Sequence, residues 1–440
     1  LHKRRQSNMS TTEHWQTQFD HFIANSTNPV WLNDLRRAAF NRWQTIGFPT
    51  LRNERWKYTE LMPLTQAAFT LATNQQPVYQ ELLPAIIPHS MRLVFVDGQL
   101  QADMSTLRSN KQLQLTTLAT MLEKDPKQVE AYFTDNHAID SITDLNAALA
   151  ANGAVITVPA HVKLTSPIHI IYLYTQAPDN MVHVQNIIHL AEDASATIVE
   201  HHIGHDNVRY FSTAFNNITL DKHAALTFYR CQEQGTEAYH INRTSLQQAA
   251  HSDIKYYSID LKGHLVRNEV FQEFTGEHAK CDFVGLYAGS GKQHIDNYLS
   301  INHAVPHCTS EQLFKGILDD RAHGVFHGKV IVSKDAQKTD AKQHNANLIL
   351  SDKAEIDTQP QLEIYADDVK CTHGAAIGQL DEKALFYLQS RGLSAETAKQ
   401  MLVYGFAADI LHHIAQADLQ SFFQHRVGSY FPGMPLLQDK

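Results

Sequence analysis

The chain has 440 residues, 43% of them hydrophobic and 19% charged, enough apolar material for a large core and roughly two or three domains. Its net charge of -9 removes the global positive field that would hold a nucleic acid, a polyphosphate or an anionic membrane. The four cysteines, Cys231, Cys281, Cys308 and Cys371, form no CxxC pair, a usage that suits a reducing, cytoplasmic compartment, and no apolar run approaches the ~20 residues that cross a bilayer as a helix.

The first eight residues (LHKRRQSN) are basic but lack the apolar stretch of a secretory signal, and Met9 reads as the natural start. Over residues 13–57, Trp15, Phe19 and Phe22, then Trp31, Leu35, Ala38, Ala39, Arg42 and Trp43 recur at helical spacing. Two helices are expected, the second ending at Gly47-Phe48-Pro49, where glycine accepts a left-handed cap and proline cannot continue the helix.

From Leu93 to Tyr365 the pattern becomes short β-branched and aromatic runs such as VITV, ATIVEHH, ALTFYR, CDFVGLY and VIVS, read as strands without helical spacers. Small corners recur near Ala194, Ala224, Ser252, Ala279, His307 and Ala336, a near-constant period that predicts a stacked repeat. Strand-only repeats of this size argue for a right-handed parallel β-helix. A β-sandwich competes, but it needs many tight reversals, and Asp97-Gly98 is the one good hairpin signal. After Gly374 the helical period returns through Leu380, Ala384, Leu385 and Leu388, breaks at Arg391-Gly392, and resumes through Ala398, Met401, Leu402 and Phe406, with Ser394 as the expected N-cap. The expected organisation is a mainly β protein: a helical region over 1–92, a parallel β-helix over 93–374 and a helical region over 375–440.

Among candidate chemical sites, Gly289-Ser290-Gly291-Lys292 lacks the first glycine of a phosphate loop and sits among strands. The histidine pairs His201-His202, His303 with His307, and His412-His413 have no diagnostic spacing, since adjacent strand residues point to opposite faces. Cys371 and His373 differ: on an extended strand they share one face, about 6.6 Å apart, and offer a thiolate and an imidazole to iron or zinc, with the other ligands left to a partner. A buried cysteine beside a surface histidine fits the same spacing.

Several segments together resemble the SufB/SufD family of the Suf iron-sulfur assembly system: Gly47-Phe48-Pro49-Thr50 with Glu54, Trp56, Lys57, Tyr58 and Thr59; Leu93 to Gly98; Phe314 to Ile317; the GVFHG run from Gly324 to Gly328; Ala341 to Ser351; and DDVKCTHGAAIG from Asp367 to Gly378. The WKYT and CxHG forms resemble the SufD branch. The resemblance implies a non-catalytic subunit that pairs with a SufB-like scaffold through the β-helix ends and engages a SufC-like ATPase through its C-terminal helices, at Leu385, Leu388, Arg391, Gly392, Leu402 and Phe406. It implies no tightly bound cofactor in the isolated chain, transient iron or a nascent cluster at Cys371 and His373 in the complex, with reduced flavin as a further candidate there, and a homodimer in isolation. Cys231, Cys281 and Cys308 receive no role from it. Two other function classes remain at this level: a polysaccharide-active β-helix enzyme, which needs paired carboxylates in a cleft, and a histidine-rich zinc-binding protein.

Overall fold

A computed structural model of the chain describes residues 11–72, 80–134, 140–175 and 177–431; the basic start and Met9 lie outside them. The two expected helices are α1 (Thr11–Ala24) and α2 (Val30–Ile46), and Gly47, at φ 76°, ends α2 by donating its N–H to the Trp43 carbonyl. One face of the pair buries Trp15, Phe19, Phe40 and Trp43, with Trp56 beside them. After the short helix α3 (Met62–Gln66) come strands β1 (Thr70–Leu71), β2 (Met91–Val96), β3 (Gln99–Leu100), β4 (Arg108–Ser109) and β5 (Gln114–Thr117). Asp97 and Gly98, at φ 46° and 80°, make the two-residue turn of the β2–β3 hairpin.

The strand-only reading fails over residues 118–149. There the chain forms α4 (Leu118–Lys124), α5 (Pro126–Thr134) and α6 (Ser141–Leu149). The local chemistry explains the departure: Thr117 accepts the Thr120 N–H at the start of α4, and Asp140 accepts those of Ile142 and Thr143 at 3.0 and 3.2 Å. Asp140 does more than cap. Its carboxylate also pairs with Arg243 at 2.8 Å and Arg55 at 3.0 Å, tying α6 and the segment before α3 to the strands beneath.

The remaining strands are β6 (Ala154–Val158), β7 (Ile168–Tyr174), β8 (Asn180–Leu190), β9 (Ser195–Gly204), β10 (Tyr210–Leu220), β11 (Ala225–Glu233), β12 (Ala238–Gln248), β13 (Asp253–Asp260), β14 (Leu265–Phe274), β15 (Lys280–Gly289), β16 (His294–His303), β17 (Thr309–Leu318), β18 (His323–Val332), β19 (Asp340–Ile349), β20 (Glu355–Ile364) and β21 (Lys370–Gly378). From β8 onward even-numbered strands stack in parallel in one sheet and odd-numbered strands in the other. Each coil therefore gives one strand to each sheet, and the expected parallel β-helix is present. Its register fixes the repeat: Ser195 pairs with Ala225, Ala225 with Asp253, Asp253 with Lys280, Lys280 with Thr309, Thr309 with Asp340, and Asp340 with Lys370.

At each of these corners a residue in the left-handed region, Asp193, His223, His251, His278, His307 or Lys338, precedes a buried small or polar one, Ala194, Ala224, Ser252, Ala279, Cys308 or Thr339. The corners expected at His307 and Ala336 thus sit one and three residues early, the latter because the turn between β18 and β19 is longer than those before it. Histidine tolerates positive φ better than bulkier residues, and the rings of His223, His251, His278 and His307 stack on the surface at 4.7 to 5.0 Å. The coil interior buries Ile198, Phe228, Tyr256, Phe283 and Phe314. Gly289 to Lys292 forms a turn between two strands, where the Gly291 N–H is already taken by the Asp320 carboxylate at 3.0 Å.

The two ends of the stack differ. At the N-terminal end the antiparallel strand β5 and helices α2, α4 and α5 cover the first coil through Leu32, Leu118, Met121, Val129 and Phe133. At the other end β20 and β21 are the outermost strands of their sheets. Three helices follow: α7 (Glu382–Ser390), α8 (Ala395–Leu411), capped by Ser394 as expected, and α9 (Ala417–Tyr430), which the periodicity analysis did not reach. Helices α8 and α9 lie on the outer face of the odd-numbered sheet, where Val403, Ile410, Leu411, Phe423 and Val427 meet Tyr229, Tyr257, Leu286 and Ile317. Full burial of each such side chain contributes roughly 1.5–3 kcal/mol.

Candidate functional site

The open coil end holds Cys371 and His373, the two metal-ligand candidates of the sequence. Cys371 and His373 sit two apart on β21 and share a face. Their register partners on β19, Ala341 and Gln343, are 0% and 3% exposed, so this face continues the interior of the stack. His373 is exposed, with no further coil over it among the described residues. Cys371 is half-buried against Val330, Val332, Ala341, Leu362 and Val369. Burial pushes its thiol above the usual value, although the Ala341 N–H works in the opposite direction.

The facing strand β20 is half-exposed along most of its length and carries Pro360 in its middle. Proline cannot donate to a ladder and is tolerated where a strand has no neighbour to serve on one side. Around these strands Ile364, Tyr365 and Ile377 remain 40%, 64% and 56% exposed. Just inside, Thr358 donates to the Asn345 side chain at 2.8 Å, and Asn345 to the Tyr287 hydroxyl at 3.2 Å. The last coil is thus backed by a polar layer, and among the described residues no strand pairs with its outer edges.

The C-terminal residues divide. No side chain of α7 is fully buried; Leu385 and Leu388 are half-buried, while Phe386 and Tyr387, which sequence reasoning passed over, are 73% and 56% exposed. Arg391 lies over the Tyr387 ring at 5.2 Å, and Gly392, at φ 93°, makes the turn into α8. Leu402 is half-buried and Met401 exposed. Phe406 packs inward against the cluster beneath α8 and takes the Lys315 ammonium 4.4 Å above its ring, while Lys315 also pairs with Asp409 at 2.8 Å. The exposed aromatic pair on α7 was legible only once the helix face was known, because Phe386 and Tyr387 fall between the apolar positions that set its period.

The other histidine pairs do not converge. His202 faces the interior beside Tyr172 and Tyr174, whereas its neighbour His201 faces α9 and Phe422. His303 is buried and meets the Ser310 hydroxyl, while His307 stands at an exposed corner. His412 and His413 are both exposed. Among the described residues all four cysteines are free thiols, and no helix is long and apolar enough to cross a membrane.

Comparison with known proteins covers nearly the whole chain. Residues 173–406 match the SufBD core domain of SUF system FeS cluster assembly, and residues 6–170 match the SufBD protein N-terminal region. An iron-sulfur cluster assembly SufBD family protein of Synechocystis is 31% identical over 415 residues, 90% of this chain and 91% of that protein. The iron-sulfur cluster assembly protein SufD of Escherichia coli is 30% identical over 88% of this chain and 90% of its own, and the SufD protein of Bacillus subtilis 26% over 89% and 92%.

Proposed function

The chain belongs to the SufBD family of iron-sulfur cluster assembly proteins, and from that premise we propose that it is a SufD-type subunit without catalytic activity of its own. It pairs with a SufB-like scaffold across the open coil end, engages a SufC-like ATPase through α7 and α8, and supports iron acquisition and cluster assembly in that complex. The observation that carries this reading is the open end itself. A parallel β-helix that stops with bare strand edges invites an equivalent coil to continue its ladders, and that continuation would enclose Cys371 and His373 between two chains.

A thiolate and a neutral imidazole suit iron or a nascent cluster, which is cargo here and not a resident group. Two ligands from one chain leave an incomplete shell, so loading depends on the partner. His373 carries the larger share, since its ring stands free while Cys371 already serves in packing. In isolation a second copy of the chain can occupy the same end.

The test is reconstitution of the complex with a SufB-like scaffold and a SufC-like ATPase. His373→Ala should lower cluster formation at least tenfold and Cys371→Ser by less, while the subunits still co-purify. Normal assembly together with parental cluster formation in both variants refutes the site. Failure to recover any ATPase or scaffold with the parent chain refutes the subunit role.

A further inference from the structure

On the opposite side of the odd-numbered sheet, under α9, three potential ligands converge that none of the roles above uses. His201 on β9 lies in register with Cys231 on β11, and Glu233, two residues further along β11, shares the face of Cys231. Their ligand atoms all lie within 4.8 Å of one another. The thiol sulfur is 3.5 Å and the His201 Nε2 3.8 Å from the same carboxylate oxygen, Glu233 Oε1. His201 and Cys231 are 0% exposed and Glu233 8%. Among the described residues neither ring nitrogen of His201 has a hydrogen-bond partner within 3.5 Å, its Nε2 meeting Glu233 only at 3.8 Å, and both ring nitrogens of buried His169, whose ring stacks on it at 5.7 Å, likewise lack one.

A buried imidazole with both nitrogens unsatisfied loses the solvation of two polar atoms and gains no hydrogen bond in return. Phe422 closes the pocket edge-on to both rings. Arg426 of α9 donates its Nε to Glu233 Oε1 at 2.7 Å and an amino group to Oε2, so the carboxylate is held ionised and in place.

We propose that His201, Cys231 and Glu233 form a buried site for one borderline divalent metal ion, Zn2+ or Fe2+, independent of the Cys371 and His373 end. One sulfur, one imidazole nitrogen and one carboxylate oxygen make a ligand set that these metals accept and that oxygen-seeking Mg2+ or Ca2+ does not. Ligation replaces the thiol proton, which leaves to solvent, and gives a His201 ring nitrogen a direct bond where the fold offers only a long contact with Glu233. Because α9 covers the site, loading is to be read at equilibrium.

The experiment uses the full chain, reduced and anaerobic, dialysed against Co2+ as a spectroscopic substitute. One equivalent should bind with a thiolate-to-cobalt charge-transfer band in the near ultraviolet. The band should persist in the Cys371→Ser/His373→Ala double variant and vanish in Cys231→Ala. Glu233→Gln removes the anionic oxygen ligand and should weaken binding by more than the roughly tenfold that loss of a merely supporting contact costs a metal site. Absence of the band in the parent chain overturns the proposal even if every variant misfolds. So does a band that survives Cys231→Ala or that disappears with Cys371. Neither result depends on assembly with other subunits, so the fate of this site and that of the assembly role are read separately.

Discussion

Replacing Asp140 tests how the N-terminal helices are held to the coil stack. Its carboxylate caps α6 and sits between Arg243 and Arg55, whose side chains are 3% and 25% exposed, and is itself 12% exposed. Losing the cap alone costs about 1 kcal/mol. Removing one partner of a buried ion pair costs about 3–5 kcal/mol, and the lower end applies because Glu269 still pairs with Arg243. Asp140→Asn keeps a capping oxygen and should lose about 3 kcal/mol; Asp140→Ala loses the cap as well and should fall by about 4 kcal/mol. Urea unfolding followed by tryptophan fluorescence reads this directly, since Trp15, Trp43 and Trp56 lie in the cluster that α6 helps to close.

The same pair of proteins carries a pH signature. Burial pushes the Asp140 carboxyl up, but Arg243 and Arg55 outweigh it and hold the group well below the usual carboxylate range. A depressed folded value means that the stabilisation is complete above the unfolded value of about 3.9 and is lost as pH falls towards the folded one. The gap between parent and Asp140→Asn should therefore be constant near neutrality and shrink below about pH 5. Losses under about 1 kcal/mol in both variants, or a gap that is flat down to pH 3, would refute the reasoning that the ion pairs, and not the cap, secure this layer.

The other expectations concern α7 and the coil interior. Phe386→Ala and Tyr387→Ala should each weaken capture of a SufC-like ATPase about tenfold or more, the effect of losing roughly 1.4 kcal/mol at an aromatic contact, without changing recovery of the scaffold; unchanged capture excludes α7 as the contact. Gly285→Ala would place a methyl group 2.1 Å from the buried Phe314 ring and should cost about 1–3 kcal/mol in thermal unfolding. Gly378→Ala, whose methyl group meets nothing within 4 Å, should stay within about 0.5 kcal/mol of the parent. Equal stability of the two would mean that the coil interior can shift to accept volume.

The β-helix was legible because short β-branched and aromatic runs recur without helical spacers over most of the region, and because every coil must turn at a similar place. The last of these corners slipped because the turn over residues 333–339 is longer than the earlier ones, which breaks the spacing without breaking the ladder. Helices α4 to α6 were not legible from strand-like composition on either side; the capping residues Thr117 and Asp140 were the available signal. Helix α9 escaped because its apolar residues, Leu419, Phe422, Phe423 and Val427, follow a stretch that already looked like a chain end. The pairing of Cys371 with His373 needs only a local period of two, so it could be read directly. That of His201 with Cys231 requires the coil step of this region, which carries Ser195 to Ala225 and therefore His201 to Cys231; adjacency to His202 pointed instead to a pair that the strand separates.

The contrast between the two ends of the stack sets a limit on growth. Strand edges that are bare at both ends would let one molecule add to the next without stopping, as in a fibre. Here the N-terminal end is blocked by an antiparallel strand and by three helices, and β4 beyond them is only two residues long. A molecule with a single adhesive end can take one neighbour, and if that neighbour is built the same way, nothing is left on which a third could add. If chains associate through β20 and β21 as proposed, association terminates at two, whether the second is a copy or a paralogue, and a long parallel β-stack remains compatible with a finite assembly.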